Sequence, residues 1–422
     1  MIDIHAEQTA KIKAYLVAAA GTSPAELKGL VSTLDMETVG VLVLSRAEPD
    51  GSVARFGIGS GKAQEIADLA SELEADCIIF DFEISPTRQR NWEKLAGVPV
   101  FDRHEVILRI FAARARTKEA VLQVELARLT YSLPRLAHSY GDMARQRGGS
   151  YGSKGAGETK LELDRRTVQD RIAQVRRELT KVVRERETQR RRRDRVPLPS
   201  CALVGYTNAG KSSLLNALTG ASVLAEDKLF ATLDPTTRRL SIAGGTSLLL
   251  TDTVGFISNL PHNLVDAFKS TLEEAVRADL LVVVIDAADP AAAEQYATVC
   301  RVLEEIGADS KPRIAVLNKT DKLAEFDVRR PALRAQFSDA VEVSAHTKAG
   351  FDVLIPRICN ALAGVERRYR IPLDQHALLT QVRKGGTIAD EQWLDGFIEF
   401  AARIGGSASG KLLSLLAPYE VE

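Results

Sequence analysis

The chain has 422 residues, 45% of them hydrophobic, which is length and apolar content for two to four domains with real cores; its 56 basic side chains balance 56 acidic ones. Four cysteines stand far apart without a CxxC pair and six histidines are scattered, so neither a disulfide framework nor a zinc site is suggested. No apolar run approaches the roughly 18 residues of a spanning helix; the expectation is a cytoplasmic, monomeric protein with at most peripheral membrane association.

The first apolar stretch, Lys11 to Ala20, faintly imitates a signal peptide, but it is short and Asp3 and Glu7 precede it, so secretion is not expected. Thr38 to Ser45, Lys62 to Leu73, Asp76 to Phe82, Pro86 to Leu95 and Val98 to Phe101 then alternate strand-like and helix-like patterns. That alternation reads as a small α/β domain with a partly parallel sheet. Inside it, Gly57-Ile58-Gly59-Ser60-Gly61-Lys62 imitates a phosphate loop, but Phe56 stands where the first glycine belongs and Ala63 follows the lysine. A tight turn before a helix is the expectation there.

From His104 a long helix is expected, with Leu122, Leu126, Leu129, Leu133 and Leu136 spaced by three and four and Pro134 ending it. A second helix is expected after Gly157, carrying Leu161, Val168, Ile172, Val175, Leu179 and Val182, to give an antiparallel hairpin. The glycine-rich stretch Gly148 to Glu158, following Arg145 and Arg147, reads as a long basic tip loop that approaches phosphates or stacks on a base; a plain connector is the competing reading. Between Arg165 and Arg195 there are 13 basic and 5 acidic side chains, ending in Arg190 to Arg193. Such a segment is either a footprint for a polyanion or a solvated helix face laced with ion pairs.

After a proline-bearing linker, Val196 to Ser200, the strand Cys201 to Val204 runs into Gly205-Tyr206-Thr207-Asn208-Ala209-Gly210-Lys211-Ser212. This G-x-x-x-x-G-K-S run is a phosphate loop: its glycines let the backbone turn N–H groups inward, Lys211 reaches the β- and γ-phosphates, and Ser212 ligates Mg²⁺. The helix expected from Ser213 points its positive end at the same phosphates. Thr251-Asp252-Thr253-Val254-Gly255 follows the strand Leu248 to Leu250; Asp252 holds the magnesium shell through water and the Gly255 N–H meets the γ-phosphate. Asn318-Lys319-Thr320-Asp321 reads the base, Asp321 accepting two hydrogen bonds that guanine offers and adenine does not. Ser344-Ala345-His346 supplies backbone for the guanine carbonyl. Between the first two motifs, Phe230-Ala231-Thr232-Leu233-Asp234 with Pro235 to Arg238 is the segment that senses the γ-phosphate, with Thr232, Thr236 and Thr237 competing for the metal. Phe256 stands where many small GTPases carry a water-orienting glutamine, so intrinsic hydrolysis is expected to be slow. Gly405 to Leu412 repeats the glycine spacing of the phosphate loop, but Leu412 replaces the hydroxyl and no second site follows.

These features together resemble the HflX family of ribosome-associated GTPases. The likeness extends over Gly57 to Lys62, Ser85-Pro86 with Arg90, Asn91 and Glu93, Gln123 to Ala127, Leu133 to Leu136, Gly155 to Glu162, Asp164 to Arg166 and Phe230 to Arg238. It implies a P-loop GTPase domain (197–366) preceded by an α/β domain (1–103) and a long helical hairpin (104–196) and followed by a small α+β appendage (367–422). It further implies Thr232 as the magnesium-binding threonine, Phe256 as an expected apolar substitution, and the large ribosomal subunit with its rRNA as the partner, with a role in splitting stalled or stress-inactivated ribosomes. Where the family usually has proline this chain has Ala156. The resulting expectation is a GTP-hydrolysing switch with Mg²⁺; a GTPase scaffold acting on a protein partner and an ATP-driven RNA-remodelling factor are the alternatives.

Overall fold

The computed structural model describes residues 11–19, 22–45, 55–139, 154–193, 198–221, 226, 228–242, 247–258, 269–323, 327, 329–362, 366–404 and 409–421. They fall into two compact units, one up to Val183 and the other from Arg184 onward.

The first unit is built on four parallel strands in the order β2-β1-β3-β4: β1 Lys13–Ala18, β2 Glu37–Val43, β3 Cys77–Phe80 and β4 Val100–Asp102. The stretch that imitates a signal peptide is therefore an inner strand, and every residue from Ala14 to Ala18 is buried. A strand covered on both faces needs a continuous apolar run, which is the same pattern a leader shows. Three helices join the strands, α1 Pro24–Thr33, α2 Ser60–Glu72 and α3 Pro86–Ala96, and α4 Arg103–Arg114 follows the last of them. The sheet is wholly parallel, not partly so, because a helical crossover carries the chain from each strand to the next. Gly57 has φ +80° and Gly59 caps α2, so the Gly57 to Lys62 run is a turn into a helix, and Lys62 pairs with Glu65 at 2.7 Å. Trp92 of α3 is fully buried against Phe80 and Phe56, its ring N–H donating to the Phe56 carbonyl at 2.9 Å.

Two helical expectations are corrected. The run from His104 is two helices, α4 and then α5 Lys118–Ser139, broken after Arg114 where Ala115 turns to extended backbone. Pro134 lies inside α5 rather than ending it. Proline forfeits one intrahelical bond, and Arg135 supplies anchorage in its place: its guanidinium donates to Asp102 at 3.1 Å, Gln89 at 2.9 Å, the Ile84 carbonyl at 3.0 Å and the Tyr131 carbonyl at 3.1 Å. The following helix, α6 Lys154–Arg193, starts before Gly157, so Gly155, Ala156 and Gly157 belong to helix instead of the tip loop. The rest of that glycine-rich loop, with Arg145 and Arg147, lies outside the described residues. Among the described side chains of α6, Ile172 and Val175 are buried, and Arg171 ties it to Glu125 of α5 at 2.7 Å.

The second unit holds a six-stranded sheet in the order β10-β9-β8-β5-β7-β6: β5 Ser200–Gly205, β6 Thr236–Ser241, β7 Ser247–Asp252, β8 Leu280–Asp286, β9 Arg313–Asn318 and β10 Val341–Glu342. All neighbours are parallel except β6 with β7. β5 begins at Ser200, so the last linker residue is already strand. Helices α7 Lys211–Thr219, α8 Lys269–Arg277, α9 Ala292–Glu305, α10 Arg329–Gln336 and α11 Phe351–Leu362 accompany it. Leu203, Leu250, Val282, Val316 and Leu354 are among the side chains that form its core, each burial contributing about 1.5 to 3 kcal/mol. The last stretch is an antiparallel sheet, β12-β13-β11-β14, made of β11 Glu366–Pro372, β12 Gly386–Leu394, β13 Phe397–Ile404 and β14 Glu420–Val421, with α12 His376–Gly385 and α13 Ser409–Leu416. Residues 405–408 of the false phosphate loop lie outside the described residues.

Candidate functional site

Four parallel strands of the second unit, β5, β7, β8 and β9, end at one edge of the sheet, and open parallel sheets take ligands at the carboxyl ends of their strands. β5 ends in Gly205, β7 in Asp252, β8 in Asp286 and β9 in Asn318. The chain thus gathers three of its sequence motifs from tertiary topology alone.

The phosphate loop is held by close approaches. Gly205 has φ +153°, and a β-carbon there would run into the Val284 carbonyl of β8. Gly210 has φ +90°, and a β-carbon there would run into the Asn318 amide, which donates instead to the Ala209 carbonyl at 2.9 Å. Asn208 takes the left-handed conformation at φ 61°. Lys211 is buried and folded onto the loop, its Nζ donating to the carbonyls of Tyr206 at 2.8 Å and Gly205 at 3.2 Å. Burial lowers its pKa to about 8, against the opposing pull of the Asp252 carboxylate.

Ser212, Thr232 and Asp252 meet in a triangle of oxygens. Ser212 Oγ donates to Asp252 Oδ2 at 2.6 Å, Thr232 Oγ1 donates to the same atom at 3.0 Å, and the two hydroxyls lie 2.7 Å apart. Thr236 and Thr237 sit in β6 instead, where Thr237 Oγ1 pairs with Thr251 Oγ1 at 2.9 Å; of the three threonines only Thr232 is brought to Ser212. The turn that delivers it runs through Phe230, at φ 54° and buried, with Leu233 buried beside it and Ala231 and Asp234 partly exposed. Asp252 is fully buried, and burial raises its pKa. Its Oδ1 is enclosed with no hydrogen-bond partner among the described residues. Hard oxygen donors around an under-satisfied buried carboxylate fit Mg²⁺ in chemistry, whereas no group of three His, Cys, Asp or Glu side chains among the described residues could hold a metal by itself.

Gly255 lies close under the loop, where a β-carbon would sit 2.8 Å from Thr207 Cα and 2.9 Å from Lys211 Nζ. Thr253 is buried and donates to the Leu203 carbonyl at 2.7 Å, while Val254 is buried next to it. Phe256 is buried with its backbone paired to the phosphate loop.

On the base side, Ser344 Oγ donates to Asp321 Oδ1 at 2.6 Å and accepts the Thr347 N–H at 3.0 Å. The Ala345 N–H donates to Asn318 Oδ1 at 3.1 Å, so both side-chain ends of Asn318 are engaged, one with the phosphate loop and one with the Ser344 loop. Lys319, at φ 62°, pairs with Asp286 at 2.7 Å, and Thr320 Oγ1 donates to the Val343 carbonyl at 2.9 Å. His346 is exposed beyond them. Sequence reading missed Asp286, whose only signal is that it closes the apolar strand Leu280 to Ile285. It also missed Glu226 and Lys228, which line the cleft with Thr207, Ser213 and Thr232 but belong to no motif.

Comparison with known proteins adds the wider frame. Family models described as GTP-binding GTPase N-terminal, GTP-binding GTPase Middle Region and 50S ribosome-binding GTPase match residues 22–112, 114–193 and 200–319. A GTPase HflX of Akkermansia muciniphila is 46% identical over 93% of this chain and 92% of its own length. A GTPase HflX of Escherichia coli is 42% identical over 90% and 89%. Among solved structures, a GTP-binding protein of Sulfolobus solfataricus in complex with GDP is 27% identical over 83% of this chain and 98% of that one, at a TM-score of 0.44.

Proposed function

The chain belongs to the HflX family of GTPases, and on that premise we propose that its nucleotide site is a Mg²⁺-assisted GTP switch that docks on the large ribosomal subunit and acts on stalled or stress-inactivated ribosomes. The observation that carries this reading is the convergence of Ser212, Thr232 and Asp252 beside Lys211, with Asn318 closing β9 and Asp321 three residues beyond it; all of these but Asp321 lie in the segment matched by the 50S ribosome-binding GTPase model. The division proposed with it is 1–103, 104–196, 197–366 and 367–422.

With GTP bound, Lys211 leaves the Tyr206 and Gly205 carbonyls and turns to the β- and γ-phosphates, joined by the N–H groups from Asn208 to Ser213 at the start of α7. Asp321, held by Ser344, accepts from the guanine ring, and the Ser344-Ala345-His346 backbone answers its carbonyl. Ser212 and Thr232 would ligate Mg²⁺, with Asp252 holding its water shell; the ion supplies charge neutralisation at the transferring phosphoryl group. Gly255 offers its N–H to the γ-phosphate. Phe256 brings no hydrogen-bonding side chain to the attacking water, so hydrolysis is slow until a docked partner completes the site. The partner surface is α6, whose Arg165, Arg166, Arg176, Arg177, Lys181 and Arg184 are exposed. That row suits phosphate contact with rRNA.

The test is GTP turnover with and without purified large subunits, using Lys211→Ala as the inactive control and Asp321→Asn to report base selectivity. Strong stimulation by subunits is expected in the wild type alone. Turnover indifferent to subunits would overturn the ribosomal part of the reading, and equal affinity for ATP and GTP would overturn the base assignment.

A further inference from the structure

The phosphate loop carries a side chain that the reaction as described does not use. Tyr206 is 7% exposed, and its hydroxyl accepts the Ser258 N–H at 2.8 Å. Its backbone is paired alongside Phe256 as a short parallel extension of β5 and β7: the Thr207 N–H donates to the Phe256 carbonyl at 2.7 Å and the Phe256 N–H to the Gly205 carbonyl at 3.0 Å. The two sets of bonds have different mechanical effects. Backbone pairing holds Phe256 at both its N–H and its carbonyl but leaves rotation about Ile257 and Ser258; the phenol bond closes a ring two residues further on and removes that freedom. Upstream, the Thr253 hydroxyl fixes the other flank through the Leu203 carbonyl. Gly255 lies between these anchors, with its α-carbon too close to Thr207 to admit a side chain.

We propose that Tyr206 is a positioning residue for GTP hydrolysis, its hydroxyl latching residues 256–258 to the phosphate loop so that the Gly255 N–H stays aimed at the γ-phosphate. This rests on the reading of the cleft as a GTPase site. GDP has no γ-phosphate, so the latch serves the triphosphate and the hydrolytic step and leaves diphosphate binding untouched. A purely structural tyrosine in the phosphate loop would support both nucleotides alike.

Tyr206→Phe removes the hydroxyl and keeps the ring. Loss of one such hydrogen bond predicts a fall in kcat for GTP of about three- to tenfold, with GDP affinity within about twofold of wild type. Hydrogen exchange of the amides of residues 255–258 in the GDP-bound protein is expected to quicken in the variant. Unchanged kcat, or a parallel loss of GDP affinity, would overturn the latch while the wild type remains an active GTPase. A wild type no faster than Lys211→Ala would instead overturn the GTPase reading and the proposal with it.

Discussion

Phe256 shows how a single position is committed to structure and thereby withheld from chemistry. It is 2% exposed, and both of its backbone polar groups are spent on the phosphate loop, so its side chain is packed inside rather than open to solvent. Installing glutamine there would bury an amide at a cost of about 1 to 3 kcal/mol without aiming it at the nucleotide. Phe256→Gln is therefore expected to lower thermal stability and to leave subunit-free single-turnover hydrolysis no faster; a several-fold acceleration would contradict this. At this scale the sequence was legible wherever a fixed spacing sets the placement: Asp252 and Asn318 close β7 and β9, Lys211 and Ser212 open α7 after the loop that leaves β5, and Asp321 stands three residues beyond β9. It was not legible where spacing leaves choices. Nothing in the run Phe230 to Arg238 separates Thr232 from Thr236 and Thr237 until the fold sets the Thr232 hydroxyl on Ser212 and Asp252, while Thr236 and Thr237 enter β6 and the Thr237 hydroxyl pairs with Thr251.

Elements were legible by their periodicity and obscure where tertiary contacts override it. β1 hid because a strand buried on both faces carries no alternation, and α5 outlasts Pro134 because Arg135 is fastened to three other segments. The anchor at the centre of that fastening is Asp102, which also accepts from the Tyr131 hydroxyl at 2.8 Å and from the Glu105 and Ile84 N–H groups. Next to it, at the start of α4, His104 is buried with its ring 5.5 Å from Tyr131. Burial depresses its pKa, opposed by the Asp102 carboxylate and reinforced by the Arg135 guanidinium. The sign follows from linkage: the unfolded imidazole gains a proton near its ordinary value of about 6.5 while the folded one stays neutral, so stability is lost as pH falls through that value toward the lower folded pKa. Urea midpoints read from Trp92 fluorescence should fall between pH 7.5 and 5.5, and His104→Gln should show a smaller fall. An identical fall in the variant would exclude His104 as the source.

Across the whole molecule the charges cancel, and that cancellation conceals a strongly basic segment. The basic excess gathers on α6, where Arg165, Arg166, Arg176 and Arg177 are exposed while Ile172 and Val175 of the same helix are buried. A helix whose apolar stripe is engaged and whose cations face outward either serves only solubility or meets a polyanion, and salt dependence separates the two. If these arginines touch rRNA phosphates, each contributes roughly 0.7 to 0.9 to the slope of log affinity against log salt. Converting all four to glutamate should weaken binding to isolated large subunits by orders of magnitude at low salt and flatten that slope by about three, as measured by co-sedimentation across a salt series in the presence of a non-hydrolysable GTP analogue. GTP affinity measured without subunits reports on a cleft to which these four side chains do not belong, so a variant that binds nucleotide normally yet loses the salt-dependent part of subunit binding assigns α6 to docking. Unaltered subunit binding would return the row to a solvated face and move the ribosomal contact elsewhere on the molecule.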